Sequence, residues 1–166
     1  DPLTELPNRR YLVERCESAL AHAERHGESV ALLLIDLDHF KPINDRFGHA
    51  TGDQVLRETA IRLRGCLREG DLVARLGGDE FLMVLMVPTE DALQQAELIA
   101  QRTLSALSAP VRLEDQQLQV GCSIGGALWP LHSEQLDEAL KLADQALYRA
   151  KHAGRNRALF HSQTTD

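Results

Sequence analysis

The chain has 166 residues, 43% apolar, 26% charged and 4% aromatic, which suits one compact domain and is too short for two independent cores. Its net charge is −7, from 18 basic against 25 acidic residues, so a broad basic face for long nucleic acid is excluded, whereas a small anion held by a metal ion and a few placed cations is not. With no run of about 18 uncharged apolar residues and no basic, apolar leader at the start, neither a membrane span nor a signal peptide is expected, and the domain should make no membrane contact. Cys16, Cys66 and Cys122 are odd in number and set in apolar patterns, and they read as reduced thiols of a cytoplasmic protein. Residues 1–166 are expected to form a single domain. The opening Asp1-Pro2, without a Met, reads as a piece of a longer signalling protein with a regulatory partner upstream.

Asn8 precedes a helical stretch that places Leu12, Cys16, Ala19, Leu20 and Ala23 on one face and closes at Gly27. Residues 30–35 are an uninterrupted apolar run, the pattern of a strand covered on both faces, and it stops at Asp36-Leu37-Asp38. From Gly52 onward, Val55, Leu56, Thr59, Ala60, Leu63, Cys66 and Leu67 recur at helical spacing. Strands are expected around residues 72–75 and 81–86, joined at Gly77-Gly78 by a type I′ turn whose two central positions both need positive φ. Pro88 ends the second strand, and Thr89 is placed to cap a helix carrying Leu93, Ala96, Leu98, Ala100, Leu104 and Leu107. A polar hairpin leads through Leu118, Val120, Cys122 and Ile124 into Gly125-Gly126. The last helix is expected from Ser133 to Ala153, stopped by Gly154. This order predicts an α/β palm-like sandwich related to the split βαβ arrangement.

The turn between the two strands reads Gly77-Gly78-Asp79-Glu80-Phe81, and with it the chain resembles the GGDEF family of diguanylate cyclases, which join two GTP molecules into cyclic di-GMP. The likeness extends from Asp1-Pro2-Leu3-Thr4 and Leu6-Pro7-Asn8-Arg9-Arg10, through Asp36-Leu37-Asp38-His39-Phe40-Lys41, to Lys151 and Arg155. It implies the palm-like nucleotide-cyclase fold: a central, mainly antiparallel sheet of about five strands, with helices on both faces and an added β-hairpin. It also implies a second such domain as partner, because one domain holds one GTP and two must face each other.

Elementary chemistry supports the same site. Side chains alternate along a strand, so Asp36 and Asp38 share one face while Asp79 and Glu80 point apart. With the hairpin beside the apolar strand, Asp36 meets one tip carboxylate, and two close carboxylates repel until one is protonated or a cation separates them. Mg²⁺, with Mn²⁺ as a substitute, takes a few carboxylate oxygens plus waters and phosphates. The resemblance places Asp36, the Leu37 carbonyl and Asp79 on the metal, with Glu80 as ligand or as the base for a ribose 3′-hydroxyl. It places Lys41, Lys151 and Arg155 on the phosphates, the last two sharing a helical face at i, i+4, with the Phe40 main-chain N–H beside them. Asn44 and Asp53 are implied to read guanine, whose N1–H and exocyclic amine a carboxylate accepts and whose donor pair adenine lacks. Gly78, without a side chain, lets the nucleotide approach.

Arg68-Glu69-Gly70-Asp71 stands where the family carries an RxxD site that binds the cyclic di-GMP product as inhibitor, and Arg102 where a further arginine often serves it. The alternative functions are a catalytically silent GTP- or cyclic di-GMP-binding module and a cyclase with an adenine product. His22, His26, His132 and His161 have no metal-ligand spacing, and His39 and His49 are read as turn and packing residues.

Overall fold

The apolar run is buried over its whole length, and its alternate residues divide the molecule into two cores. The computed structural model describes residues 1–162. In chain order the elements are α1 (Arg9–His26), β1 (Glu28–Leu37), α2 (Phe40–Phe47), α3 (His49–Gly65), β2 (Leu72–Gly77), β3 (Glu80–Pro88), α4 (Ala92–Ser108), β4 (Val111–Arg112), β5 (Gln117–Leu118), β6 (Cys122–Trp129), α5 (Leu136–His152) and β7 (Ala158–Phe160). One sheet has the order β2-β3-β1-β6-β7, antiparallel except between β6 and β7, and β4 and β5 form a separate hairpin. Ala31, Leu33 and Ile35 pack with Phe81, Met83 and Leu85 under α3 and α4, and Val30, Leu32 and Leu34 pack with Leu82 and Val84 under α1 and α5. Each large apolar side chain buried this way contributes about 1.5–3 kcal/mol, which is why a 10-residue strand with no outer face is stable at the centre. The expected fold class is therefore the observed one.

Local signals acted as expected at α1: the Asn8 side chain accepts the Tyr11 N–H at 3.0 Å, and Gly27 ends the helix at φ 66°. The three cysteines are buried and free, and burial pushes Cys16 up to about 11 and Cys122 to about 12, so neither thiol is reactive.

Several expectations are corrected. The hairpin turn is centred on Gly78-Asp79, not on Gly77-Gly78, because Gly77 already pairs with Glu80 and an extra residue bulges between Arg75 and Gly77. Both glycines have positive φ, but Gly77 uses it at the bulge and Gly78 in the turn. Thr89 does not cap α4; its hydroxyl donates to the Gly27 carbonyl at 2.7 Å, and residues 89–91 form a 3-10 turn. Gly125-Gly126 lies inside β6, where a Cβ on Gly125 would overlap backbone atoms of Ala143 and Leu147 and one on Gly126 would meet the Phe160 ring. The helix expected from Gly52 starts at His49, and α5 starts at Leu136 rather than Ser133.

Candidate active site

β1, the central strand, carries Asp36 near its C-terminal end, opposite Glu80 on β3, and the Leu37 N–H donates to the Asp79 carbonyl at 3.3 Å, tying the strand end to the turn. Of the two tip carboxyls it is Asp79 that meets Asp36. Burial, then the hydrogen bond to Asp36 and then its charge push Asp79 up to about 7, against the pull of Lys151. Asp36 Oδ1 is buried without a hydrogen-bond partner, while Oδ2 pairs with the Lys151 ammonium. The Leu37 side chain is in the core, which leaves its carbonyl as the group it can offer. Glu80 lines a cleft of about 420 Å³ between α1 and α5, with Arg9, Lys141 and Asp144. Among the described residues no three His, Cys, Asp or Glu side chains are gathered around one point, so an ion here would be completed by main-chain, water or phosphate oxygens.

That carboxyl pair makes a stability prediction whose sign is fixed. Asp79 is raised above its unfolded value of 3.8, so its proton favours the folded state at low pH and that contribution is lost as pH rises through about 7. Without divalent metal, the melting temperature falls between about pH 4 and about pH 8, and Mg²⁺ restores more of it at the upper end. Melts in EDTA and in Mg²⁺ across that range check this; a metal increment that does not grow with pH contradicts it.

Lys151 and Arg155 do not share a helical face. The helix ends at His152, and the chain then turns left-handed at Gly154 (φ 120°), Arg155 (φ 63°) and Asn156 (φ 50°). They reach neighbouring carboxylates instead, Lys151 pairing with Asp36 and Arg155 lying 3.8 Å from Asp38. Asp38, given no role from sequence, holds this corner together. It is 7% exposed, accepts the Ser123 hydroxyl at 2.6 Å and the Asn156 N–H at 2.9 Å, and so fixes the loop that carries Arg155 to the end of β1.

α2 was not foreseen; Pro42 sits in its first turn, where no intrahelical N–H is lost. Phe40 is buried, so its main-chain N–H is what it can present at the helix start, and Lys41 is exposed beside it. Asn44 lies on α2, and Asp53 is half-buried near the start of α3. Asn44 Oδ1 is buried with no partner, the second orphaned oxygen besides that of Asp36.

Arg75 is a further residue that sequence left unassigned. Its Nε and Nη2 donate to the Gly78 carbonyl at 3.0 and 2.8 Å, and its Nη1 donates to the Asp1 carboxylate at 3.2 Å. Asp1 Oδ2 also accepts the Thr4 N–H and hydroxyl at 3.0 and 2.6 Å. One guanidinium thus ties the N-terminal turn to the carbonyl that precedes Asp79.

The Asp71 side chain is 1% exposed, lies 3.6 Å from the Arg68 guanidinium and accepts the Arg68 and Met86 N–H groups, each at 2.9 Å, which fixes the turn before β2. Arg68 donates to the Met86 carbonyl at 3.0 Å and stays 43% exposed. A cavity of about 300 Å³ adjoins this turn, lined by Glu69, Gly70 and Met86 with Arg15 and His22 of α1; Arg102, exposed on α4, does not line it.

A five-stranded palm-like sheet that brings two carboxyls together at a glycine turn, with a lysine on one of them, defines a class of nucleotide-handling domain. The chain belongs to the GGDEF family: the family model described as "Diguanylate cyclase, GGDEF domain" matches residues 1–157. It is similar to diguanylate cyclase TpbB of Pseudomonas aeruginosa, with 47% identity over 158 residues, 93% of this chain and 35% of that protein. The structure of the TpbB GGDEF domain superposes with a TM-score of 0.92 at 44% identity, covering 98% of this chain and 94% of that one. Cyclic di-GMP phosphodiesterase NbdA of the same species is 40% identical over 163 residues, 98% of this chain and 20% of that protein. The GGDEF domain of DgcB from Caulobacter crescentus, solved with c-di-GMP, has a TM-score of 0.86 at 31% identity, covering 97% of this chain and 94% of that one. The chain thus spans about a third or less of these curated relatives. No helix among the described residues is long and apolar enough to cross a membrane.

Proposed function

We propose that this domain is a diguanylate cyclase, a nucleotidyltransferase that condenses two GTP into cyclic di-GMP and two pyrophosphates in the cytoplasm. The observation that carries the reading is the apposition of Asp36 and Asp79, with one buried carboxylate oxygen unpartnered and one proton held against its ordinary affinity. Hard oxygen donors in that state fit Mg²⁺, held by Asp36, the Leu37 carbonyl and Asp79, with Glu80 beside them. When bound, the ion neutralises the charge that develops on the phosphates.

The chain's own groups do the rest. Lys41, Lys151, Arg155 and the Phe40 N–H bind and orient the triphosphate, and Asn44 and Asp53 hold the guanine. Gly78 leaves the turn open, since nothing lies within 4 Å of where its Cβ would stand. In each half-reaction the 3′-oxygen of one GTP forms a bond to the α-phosphorus of the other. The bond to the bridging oxygen breaks, pyrophosphate leaves with the electron pair, and the hydroxyl proton passes to Glu80. Because each domain presents one GTP, catalysis needs two domains facing each other. The product returns to the turn of Arg68 and Asp71, where the exposed Arg68 binds it and the buried Asp71 holds the turn in place, with Arg102 as a further contact, and inhibits.

Incubation with Mg²⁺ and either GTP or ATP, with products identified by mass, tests this. The account expects cyclic di-GMP from GTP, none from ATP, initial rates that rise faster than linearly with protein concentration, and relief of product inhibition in Arg68→Ala. GTP binding without any dinucleotide across the concentration range would instead establish the silent binding module, the reading that similarity to a protein named as a phosphodiesterase favours.

A further inference from the structure

We infer that Gly52 is a specificity-determining position whose missing side chain aims Asn44 at the base. This rests on the proposal that Asn44 and Asp53 hold guanine, and it names a residue that does not touch the nucleotide. Glycine inside a helix is less stable than alanine. Gly52 is buried in the first turns of α3 and has no positive φ that would call for glycine. Its backbone therefore does not explain it. Its surroundings do: a Cβ there would overlap Asn44 Oδ1, lie 2.9 Å from Asn44 Cγ and 3.2 Å from Phe40 Cζ. The Asn44 side chain is laid into the groove that the glycine leaves between α2 and α3.

The consequence is a carbonyl oxygen out of water with no donor in the protein. An acceptor left unpaired in that way is costly, so its natural partner is an N–H that arrives with a ligand. Guanine supplies such a donor in its exocyclic amine; hypoxanthine, otherwise the same ring, lacks it. A methyl group at position 52 would not unseat a helix, because its hard overlap is with the movable end of Asn44, while the buried Phe40 ring, 3.2 Å away, need give only by a few tenths of an ångström. It would turn Asn44 away and leave the base site short of its acceptor.

The test compares binding of GTP and of inosine triphosphate, in Mg²⁺, to wild type, Gly52→Ala, Asn44→Ala and the double variant. Wild type should prefer GTP, and Gly52→Ala should weaken GTP by about tenfold while changing inosine triphosphate little, so that the preference collapses to that of Asn44→Ala. The double variant should be no worse than Asn44→Ala alone, since the group that glycine positions is already gone. Should Gly52→Ala fail to fold, recovery of the melting temperature in the double variant would still locate the clash on Asn44. A Gly52→Ala protein that keeps the wild-type preference overturns the inference, as does a double variant that stays unfolded. If Asn44→Ala and Asp53→Asn themselves leave the preference intact, it is the assignment of the base site that fails.

Discussion

Asp79→Asn should reduce dinucleotide formation by about a hundredfold to a thousandfold while leaving the metal-free domain more stable than wild type at about pH 8. Both halves come from one contact. In the folded chain Asp79 is driven up to about 7 by burial and by Asp36, so at alkaline pH the wild type holds two carboxylates together against their repulsion. The amide removes that repulsion while still placing a donor beside Asp36. What it cannot do is supply a second anionic oxygen to a divalent ion. The variant should therefore lose the Mg²⁺-dependent rise in melting temperature that the wild type shows at high pH. Thermal melts at two pH values, with and without Mg²⁺, beside product assays, separate this outcome from simple misfolding. A variant that is inactive because it is unstable in every condition would contradict the account.

Gly125→Ala should cost about 3 kcal/mol, lowering the melting temperature by roughly 10 °C, and should remove activity through the fold rather than through the chemistry. On the β6 face that carries α5, the added Cβ would overlap the Ala143 carbonyl and the Leu147 backbone, neither of which can rotate away. The helix must lift from the sheet, and Lys151 on the same helix is drawn from Asp36. Gly65→Ala is the control, since nothing lies within 4 Å of its Cβ position and α3 should gain up to about 1 kcal/mol. Calorimetry on both variants checks the contrast; equal melting temperatures would show that α5 does not rest on Gly125 as described.

The parts of this site that were legible in the sequence are those written in strong local patterns. An apolar run of strand length ending at Asp36, and a glycine pair before Asp79 and Glu80, locate the two carboxylates at strand ends, but their meeting rests on β3 pairing with β1 across the intervening α2, α3 and β2, a long-range contact that no local pattern writes. Which tip carboxyl meets Asp36 was not legible. It depends on the bulge after Arg75, which shifts the turn by one residue and which no residue type announces. α2 escaped because eight residues containing Pro42 carry too little periodicity to register. β7 escaped because three residues pairing in parallel with β6 leave no alternating pattern. Asp38 and Arg75 act through partners up to 118 and 74 positions away, and such contacts exist only once the chain is folded. Gly52 escaped too: the helix was read as beginning there, and only its observed start at His49 places the glycine inside a turn where a neighbour needs the space.

Crystals grown with Mn²⁺ and a non-hydrolysable GTP analogue, with data collected at the manganese absorption edge, would locate the cation on which the proposed chemistry turns. The account predicts an anomalous peak bonded to oxygens of both Asp36 and Asp79, with Lys151 moved from Asp36 to the phosphates. A nucleotide bound at full occupancy, with its manganese coordinated by neither carboxylate, would contradict it.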